Sequence, residues 1–220
     1  MKRILALYGA GGLGREMLVL AKIINKKETK WDQIVFIDDN KHNRKLESID
    51  VLSFEELVEQ SKQDETEAIV AIGEPSIKEK LSKKIMDNGI QLGTLIHPDV
   101  YIPENTTVGK GTIICQGSYI SCNVSIGENV LIQPLASIGH DCIIGNNSVI
   151  STFVTLAGAC QVGNSTYIGM SVPVKEKTII GNGAIVGMGS AVFRDIDDNV
   201  IALGNPARAM KKNIEKRVFK

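Results

Sequence analysis

Residues 126–161 read IGENVL IQPLAS IGHDCI IGNNSV ISTFVT LAGACQ, six consecutive units that each open on Ile or Leu. Extended in both directions, an aliphatic residue recurs every six positions from Ile96 to Val192 without a slip. Four residues after each aliphatic lies a column of small or β-branched residues, among them Thr112, Ser118, Val124, Ala136, Cys142, Ser148 and Cys160. Glycine often follows the aliphatic directly, as at Gly109, Gly127, Gly139, Gly145, Gly163, Gly169, Gly181 and Gly187. A period of six fits neither an α-helix, with about 3.6 residues per turn, nor a simple alternating strand. It fits a solenoid in which each unit is a short strand plus a turn. The aliphatic and small columns should then both point inward and stack from coil to coil. The glycine column should mark turns that need positive φ or a crowded backbone.

Upstream of this run the grammar differs. Ile4 to Tyr8 reads as a buried strand, Gly9 to Gly14 as a glycine loop and Arg15 to Ile24 as a helix. Ile34 to Ile37 is a second strand ending at Asp38-Asp39-Asn40, and Ala68 to Ile72 a third. Ser53 with Glu56, and Ser76 with Glu79, have the spacing of capping boxes for two further helices. Alternating strands and helices imply a small parallel sheet with helices packed on it. Three segments follow: an α/β domain over 1–94, a solenoid over 95–192 and a tail over 193–220 that caps it.

The 220 residues are 43% hydrophobic but only 5% aromatic, so the core must be aliphatic. Lys plus Arg and Asp plus Glu balance at 25 each, which gives no electrostatic footprint for a nucleic-acid partner. No apolar stretch approaches membrane-spanning length, and the opening Met1-Lys2-Arg3 leads into too short an apolar run for a signal peptide. Cys115, Cys122, Cys142 and Cys160 form no C-x-x-C pair, which reads as free thiols in a reducing cytoplasm.

Three motifs carry chemistry. Gly9-Ala-Gly-Gly-Leu-Gly14 follows a strand and opens a helix, so its backbone N–H groups can hold a phosphate at a helix N-terminus. The half is too short for a full dinucleotide fold, so a mononucleotide, such as that of a nucleotide-sugar, fits better than NAD. His140 lies two residues after an inward aliphatic, hence at a solenoid corner. A neutral imidazole there can take a proton from an amine or hydroxyl, and Asp141 beside it can orient the ring. Gly204-Asn-Pro-Ala-Arg208 follows the last coil and by itself reads as a terminating turn. Cys142 and Cys160 fall in the small inward column, and Cys115 and Cys122 read as turn residues with no His nearby. That argues against a cysteine nucleophile. A zinc enzyme on such a solenoid needs three His ligands, and only His97 and His140 lie there.

Together, the glycine loop, Phe36-Ile-Asp-Asp-Asn40, Ala71-Ile-Gly73, Ile96-His-Pro98, His140-Asp141 and Gly204–Arg208 resemble the sugar acetyltransferases of the hexapeptide-repeat class. That family includes sialic-acid O-acetyltransferases and N-acetyltransferases of nucleotide-linked 4-amino-sugars. The resemblance implies a Rossmann-like α/β domain followed by a left-handed parallel β-helix, assembled as a homotrimer with active sites between subunits. It implies acetyl-CoA as co-substrate, no metal, His140 as general base and Asp141 as its acid neighbour. Gly11, Gly12, Leu13, Asp38, Asp39, Gly73 and Gln133 would bind the sugar nucleotide. Gly158, Gly169, Gly187, Pro206 and Arg208 would bind coenzyme A. Many relatives have His in place of Leu13 and Asn in place of Gln133. The favoured acceptor is the amine of a nucleotide-linked 4-amino-sugar. The alternatives are O-acetylation of a sugar such as sialic acid, and a non-enzymatic nucleotide-binding scaffold.

Overall fold

The computed structural model describes residues 1–40 and 44–219, and His42 lies outside them. The N-terminal part runs β1 (Arg3–Tyr8), α1 (Gly12–Glu28), β2 (Gln33–Ile37), β3 (Arg44–Leu46), β4 (Ile49–Leu52), α2 (Phe54–Ser61), β5 (Glu65–Val70), α3 (Pro75–Asp87) and β6 (Gln91–Leu92). The sheet order is β3-β4-β2-β1-β5-β6, with β3–β4 antiparallel and the other pairs parallel. Central β1 buries Ile4, Leu5, Ala6 and Leu7 completely, because both faces of a parallel sheet are covered. Residues of α2 and α3 pack on one face, with Phe54, Leu57 and Ile85 against Ile4, Ala6 and Val35. Helix α1 packs on the other, with Met17, Leu18 and Ala21 against Leu5 and Leu7.

The capping box at Ser53 forms: its side chain accepts from the Glu56 N–H at 3.2 Å, and its own N–H donates to Glu56 Oε2 at 2.6 Å. The same spacing at Ser76 and Glu79 does not. Helix α3 starts two residues earlier, with Pro75 at the first helical position and Glu74 as N-cap. Proline is favoured there because its missing N–H would be unpaired anyway. Glu79 instead accepts from Ser165 Oγ of the solenoid at 3.0 Å.

From Leu95 the chain winds into the left-handed parallel β-helix. Each coil is built of three hexapeptide units and contributes one two-residue strand to each of three faces. Leu95–Ile96, Ile113–Ile114, Leu131–Ile132, Val149–Ile150, Tyr167–Ile168 and Ile185–Val186 stack in parallel on the first face. The second face stacks Tyr119–Ile120, Ser137–Ile138, Thr155–Leu156 and Pro173–Val174. The third begins at Thr107–Val108 and ends at Ile179–Ile180. The periodic aliphatics form one continuous core from Ile114 to Ala202, each fully buried one contributing roughly 1.5–3 kcal/mol. The small inward residues sit at the corners and satisfy carbonyls of the next coil. Thr112, Ser148 and Thr166 donate to the Gly127, Gly163 and Gly181 oxygens at 2.7–2.8 Å. Cys142 and Cys160 do the same to Ala157 and Lys175.

The glycine column serves crowding, not positive φ. A Cβ on Gly109 would lie 2.5 Å from the Gly127 carbonyl of the coil beyond. The left-handed turn residue sits two positions later and is mostly not glycine: Asn123, Asn129, Asp141, Phe153, Ala159 and Lys177 all have φ of 54–60°. Val192 and Ile196 then bridge to Val174 and Ile180, and Val200–Leu203 pairs in parallel with Ile185–Val186. The stack therefore gains a further, shortened coil, closed by the antiparallel strand Arg208–Lys212.

The first face is apolar on its outside as well. Leu95, Ile113, Leu131 and Val149 are buried in the same cluster as Met17 and Leu18 of α1, so the α/β part is mounted on this face. Lys78 of α3 pins the junction. It is fully buried, and its Nζ donates to Asn129 Oδ1 of the solenoid at 3.1 Å and to the Val70 oxygen at 3.3 Å. Burial lowers its pKa from 10.5 to about 7. Above pH 7 the folded lysine is neutral while the unfolded one still binds a proton, so stability rises with pH up to about 10.5. Chemical denaturation between pH 7 and 10 should show this contribution as a slope approaching about 1.4 kcal/mol per pH unit. The slope should be lost in Lys78→Met.

Candidate active site

His140 and Asp141 occupy the corner between the second and third faces. Asp141 is in the left-handed turn position (φ 59°), which places its carboxylate beside the preceding side chain. His140 Nδ1 and Asp141 Oδ2 are 2.6 Å apart. Hydrogen bonds from His140 and then Asn123 hold the Asp141 pKa below its usual value. An ionised carboxylate only accepts, so Nδ1 carries the hydrogen, and in the neutral ring the lone pair is on Nε2. The imidazole is 62% exposed, so that lone pair is reachable from outside.

Gly158 lies one coil further on in the same column. A Cβ there would sit 2.5 Å from His140 Cε1 and closer still to Nε2. The ring therefore rests over the Gly158 backbone, which leaves no room for any side chain. Cys122 lies one coil before His140 and is exposed, and its carbonyl accepts the Asp141 N–H at 3.1 Å. No hydrogen bond joins its thiol to His140 among the described residues. Burial raises the Cys115 thiol to about 12 and seals it beneath α1, so it is no turn nucleophile. Cys142 and Cys160 are core residues on adjacent coils, as their column requires.

A second cluster gathers at the carboxyl ends of the parallel strands. Tyr8 is level with Ile37 and with Val70, so Gly9, Asp38 and Ala71 leave the sheet together. The Gly9 N–H donates to the Ile37 oxygen and the Ala71 N–H to the Tyr8 oxygen. Gly14 is obligatory, because any Cβ would enter the Gly9 carbonyl. Gly11 and Gly12 are exposed with open space around them, at an α1 N-terminus that has no side-chain cap. Free N–H groups there suit a phosphate. Leu13 is half-buried against the apolar cluster under α1. Asp38 is half-buried, and Asp39 is already engaged. Asp39 Oδ2 accepts from Tyr8 Oη at 2.7 Å and Lys84 Nζ at 3.1 Å, and Oδ1 accepts the Phe54 N–H at 2.8 Å. Gly73 faces the Phe219 ring of the C-terminal tail, 3.6 Å from where its Cβ would be. Two tail N–H groups, of Val218 and Phe219, bind the buried Glu74 carboxylate.

Gln133, Gly169 and Gly187 lie at a different corner, between the first and second faces. The structure thus separates Gly169 and Gly187 from Gly158 by the width of the second face. Pro206 and Arg208 line a cavity of roughly 430 Å³ with Phe193, Arg194 and Ala207. Arg194 escaped the sequence reading, although its spacing reveals it: His140, Gly158, Glu176 and Arg194 hold the same place in successive coils and form one corner column. At about 4.8 Å per coil, Arg194 is about 14 Å along the stack from His140. Among the described residues no group of His, Cys, Asp and Glu could hold a metal ion. No helix among them is long and apolar enough to cross a membrane.

The family model for the PglD N-terminal domain matches residues 4–85, and that for the bacterial transferase hexapeptide (six repeats) matches residues 123–158. The fold is similar to the acetyltransferase domain of PglB from Neisseria gonorrhoeae FA1090, at 27% identity and a TM-score of 0.86, covering 94% of this chain and 100% of that one. It is similar to WeeI from Acinetobacter baumannii AYE, at 26% identity and a TM-score of 0.88, with the same coverages. PerB from Caulobacter crescentus, solved with CoA and GDP-perosamine, matches at 27% identity and a TM-score of 0.80, covering 94% and 97%. The chain is thus similar over nearly its whole length to hexapeptide-repeat sugar acetyltransferases. No curated protein sequence matches it.

In this acetyltransferase the space over Gly158 is reserved for the imidazole. Gly158→Ala should keep the fold, since Ala157 and Ala159 flank it, but displace His140. Steady-state kinetics should show kcat reduced by about 100-fold, with the unfolding temperature shifted only slightly.

Proposed function

We propose that the protein transfers the acetyl group of acetyl-CoA to the amine of a nucleotide-linked 4-amino-sugar. The observation that carries this reading is the exposed His140 with its Nδ1 fixed on Asp141 and its Nε2 lone pair free. The neutral amine attacks the thioester carbonyl carbon and forms the N–C bond. His140 Nε2 takes the proton released from nitrogen, and Asp141 offsets the imidazolium charge. Backbone N–H groups of a neighbouring coil stabilise the oxyanion. The C–S bond then breaks, and the thiolate takes the proton back from His140. PerB binds CoA and GDP-perosamine, an amino-sugar joined to a nucleotide, which supports both the donor and the acceptor class.

Coenzyme A would lie along the corner column from His140 past Gly158 toward the cavity of Arg194, Pro206 and Arg208, two guanidinium groups suited to its phosphates. Gly169 and Gly187, at the other edge of the second face, would contribute from a neighbouring protomer. The nucleotide would rest on Gly11 and Gly12, with Asp38 toward its ribose or base. Asp39 would contribute indirectly, by fixing Tyr8 and Lys84. Gly73, Leu13 and Gln133 would line the sugar.

The corner that bears His140 is opposite the first face of the prism, and the first face carries the α/β domain. The glycine-loop crevice and the imidazole of one protomer therefore point apart. A homotrimer in which each His140 corner meets a neighbour's crevice would bring them together, consistent with closed cyclic symmetry.

The test is thiol release from acetyl-CoA with a panel of UDP-, GDP- and dTDP-linked amino-sugars and free sialic acids. At least one nucleotide amino-sugar should release thiol, and His140→Ala should lose at least about 1000-fold in kcat. Release with sialic acid alone would favour O-acetylation. Folded protein that releases thiol with no acceptor would overturn the reading.

A further inference from the structure

We infer, on the reading that His140 is the base, that Asn123 is a positioning residue for the transfer, acting through Asp141 on His140. A chain of side chains climbs the corner one coil at a time. Asn105 Nδ2 donates to Asn123 Oδ1 at 2.7 Å, and Asn123 Nδ2 donates to Asp141 Oδ1 at 3.2 Å. Asp141 Oδ2 then meets His140 Nδ1 at 2.6 Å. Each carboxylate oxygen of Asp141 thus has its own partner. Asp141 settles which way the Asn123 amide faces, because an ionised carboxylate can only accept; Nδ2 therefore faces it and Oδ1 is left to accept from Asn105.

The carboxylate needs this support. Asp141 is 52% exposed, so packing alone does not fix its rotamer. A carboxylate held at one oxygen alone can swing about its Cβ–Cγ bond and release the imidazole. Held at both oxygens, it keeps Nδ1 protonated and Nε2 aimed outward over Gly158.

A contrast within the same solenoid separates this chain of contacts from ordinary corner stabilisation. At the corner between the third and first faces, Asn146, Asn164, Asn182 and Asp198 also stack. There each Oδ1 accepts a backbone N–H of the preceding coil, from Glu128, Asn146, Asn164 and Asn182 in turn. Those side chains fasten backbone. The Asn105–Asn123–Asp141 chain receives no backbone N–H among the described residues and ends on the imidazole. The next member of its column, Ala159, carries no polar group, so the chain stops at the dyad.

Asn123 also sits at φ 55°, a conformation asparagine tolerates. If that were its whole role, Asn123→Gly would be harmless, since Gly111 and Gly183 fill equivalent turn positions elsewhere. Asn123→Asp keeps the shape and still accepts from Asn105, but it replaces donation to Asp141 by repulsion between two carboxylates. The positioning role predicts a loss in both, because neither variant can donate to Asp141. Both should lower kcat by about tenfold, with KM for acetyl-CoA and acceptor within about twofold of wild type. Asn123→Gly should cost nothing further in an Asp141→Ala background. The imidazole 15N shifts of His140 should report one tautomer in wild type and a mixture in Asn123→Gly. Wild-type kcat in either variant, while His140→Ala is inactive, would overturn the positioning role and leave the base assignment intact. An active His140→Ala would remove both.

Discussion

A turn residue held in the left-handed region every six positions is the constraint on which everything else depends. It bends the chain by a third of a coil and brings the next two-residue strand onto the next face. Three such turns return the chain to its start, one strand spacing further on. Left-handed backbone costs roughly 1–2 kcal/mol per non-glycine residue. Burial of the aliphatic behind each turn offsets that cost, and the corner carbonyls are met by Thr, Ser and Cys side chains of the coil before. Function exploits the same geometry. A corner residue is copied in position, not in identity, once per coil, so different chemistry can be stacked at fixed spacing. His140 over Gly158, with Arg194 two coils beyond Gly158, is one such column. Asn105, Asn123 and Asp141 form the column beside it.

The solenoid was legible because its signal is periodic and its physics is local. An inward aliphatic every six residues admits no other arrangement, and the edge position of His140 follows from counting. The role of the glycines was half legible. Crowding between coils is real at Gly109 and Gly158, but positive φ belongs two positions later, where Asn, Asp, Ser, Phe and Lys carry it. The mounting of the α/β domain is encoded in a subtler pattern. Apolar doublets at Ile113–Ile114, Leu131–Ile132 and Val149–Ile150 recur once per coil and mark the one face that is buried on both sides.

What could not be read locally were contacts between distant elements. Ser76 and Glu79 imitate a capping box, yet Pro75 takes the first helical position and Glu79 reaches Ser165. Asp39 looks like a free ligand beside Asp38, until β1 and α3 bring Tyr8 and Lys84 onto it. Lys78 of α3 is fully buried where that helix docks on Asn129 of the solenoid. In each case the deciding partner lies far along the chain, on another layer of the fold, beyond any spacing rule.

The geometry also dictates how the parts must cooperate. The first face carries the α/β domain and the His140 corner lies across the prism from it, so the proposed reaction would draw on two protomers. Mixed assemblies of His140→Ala and Gly12→Glu subunits test this most directly. Each variant alone should be inactive, the second because a carboxylate at the α1 N-terminus repels phosphate. If each site joins the imidazole of one protomer to the crevice of the next, randomly mixed assemblies should recover about a quarter of wild-type activity. Mixed assemblies as inactive as either parent would contradict the account, because a site built within one protomer cannot be complemented.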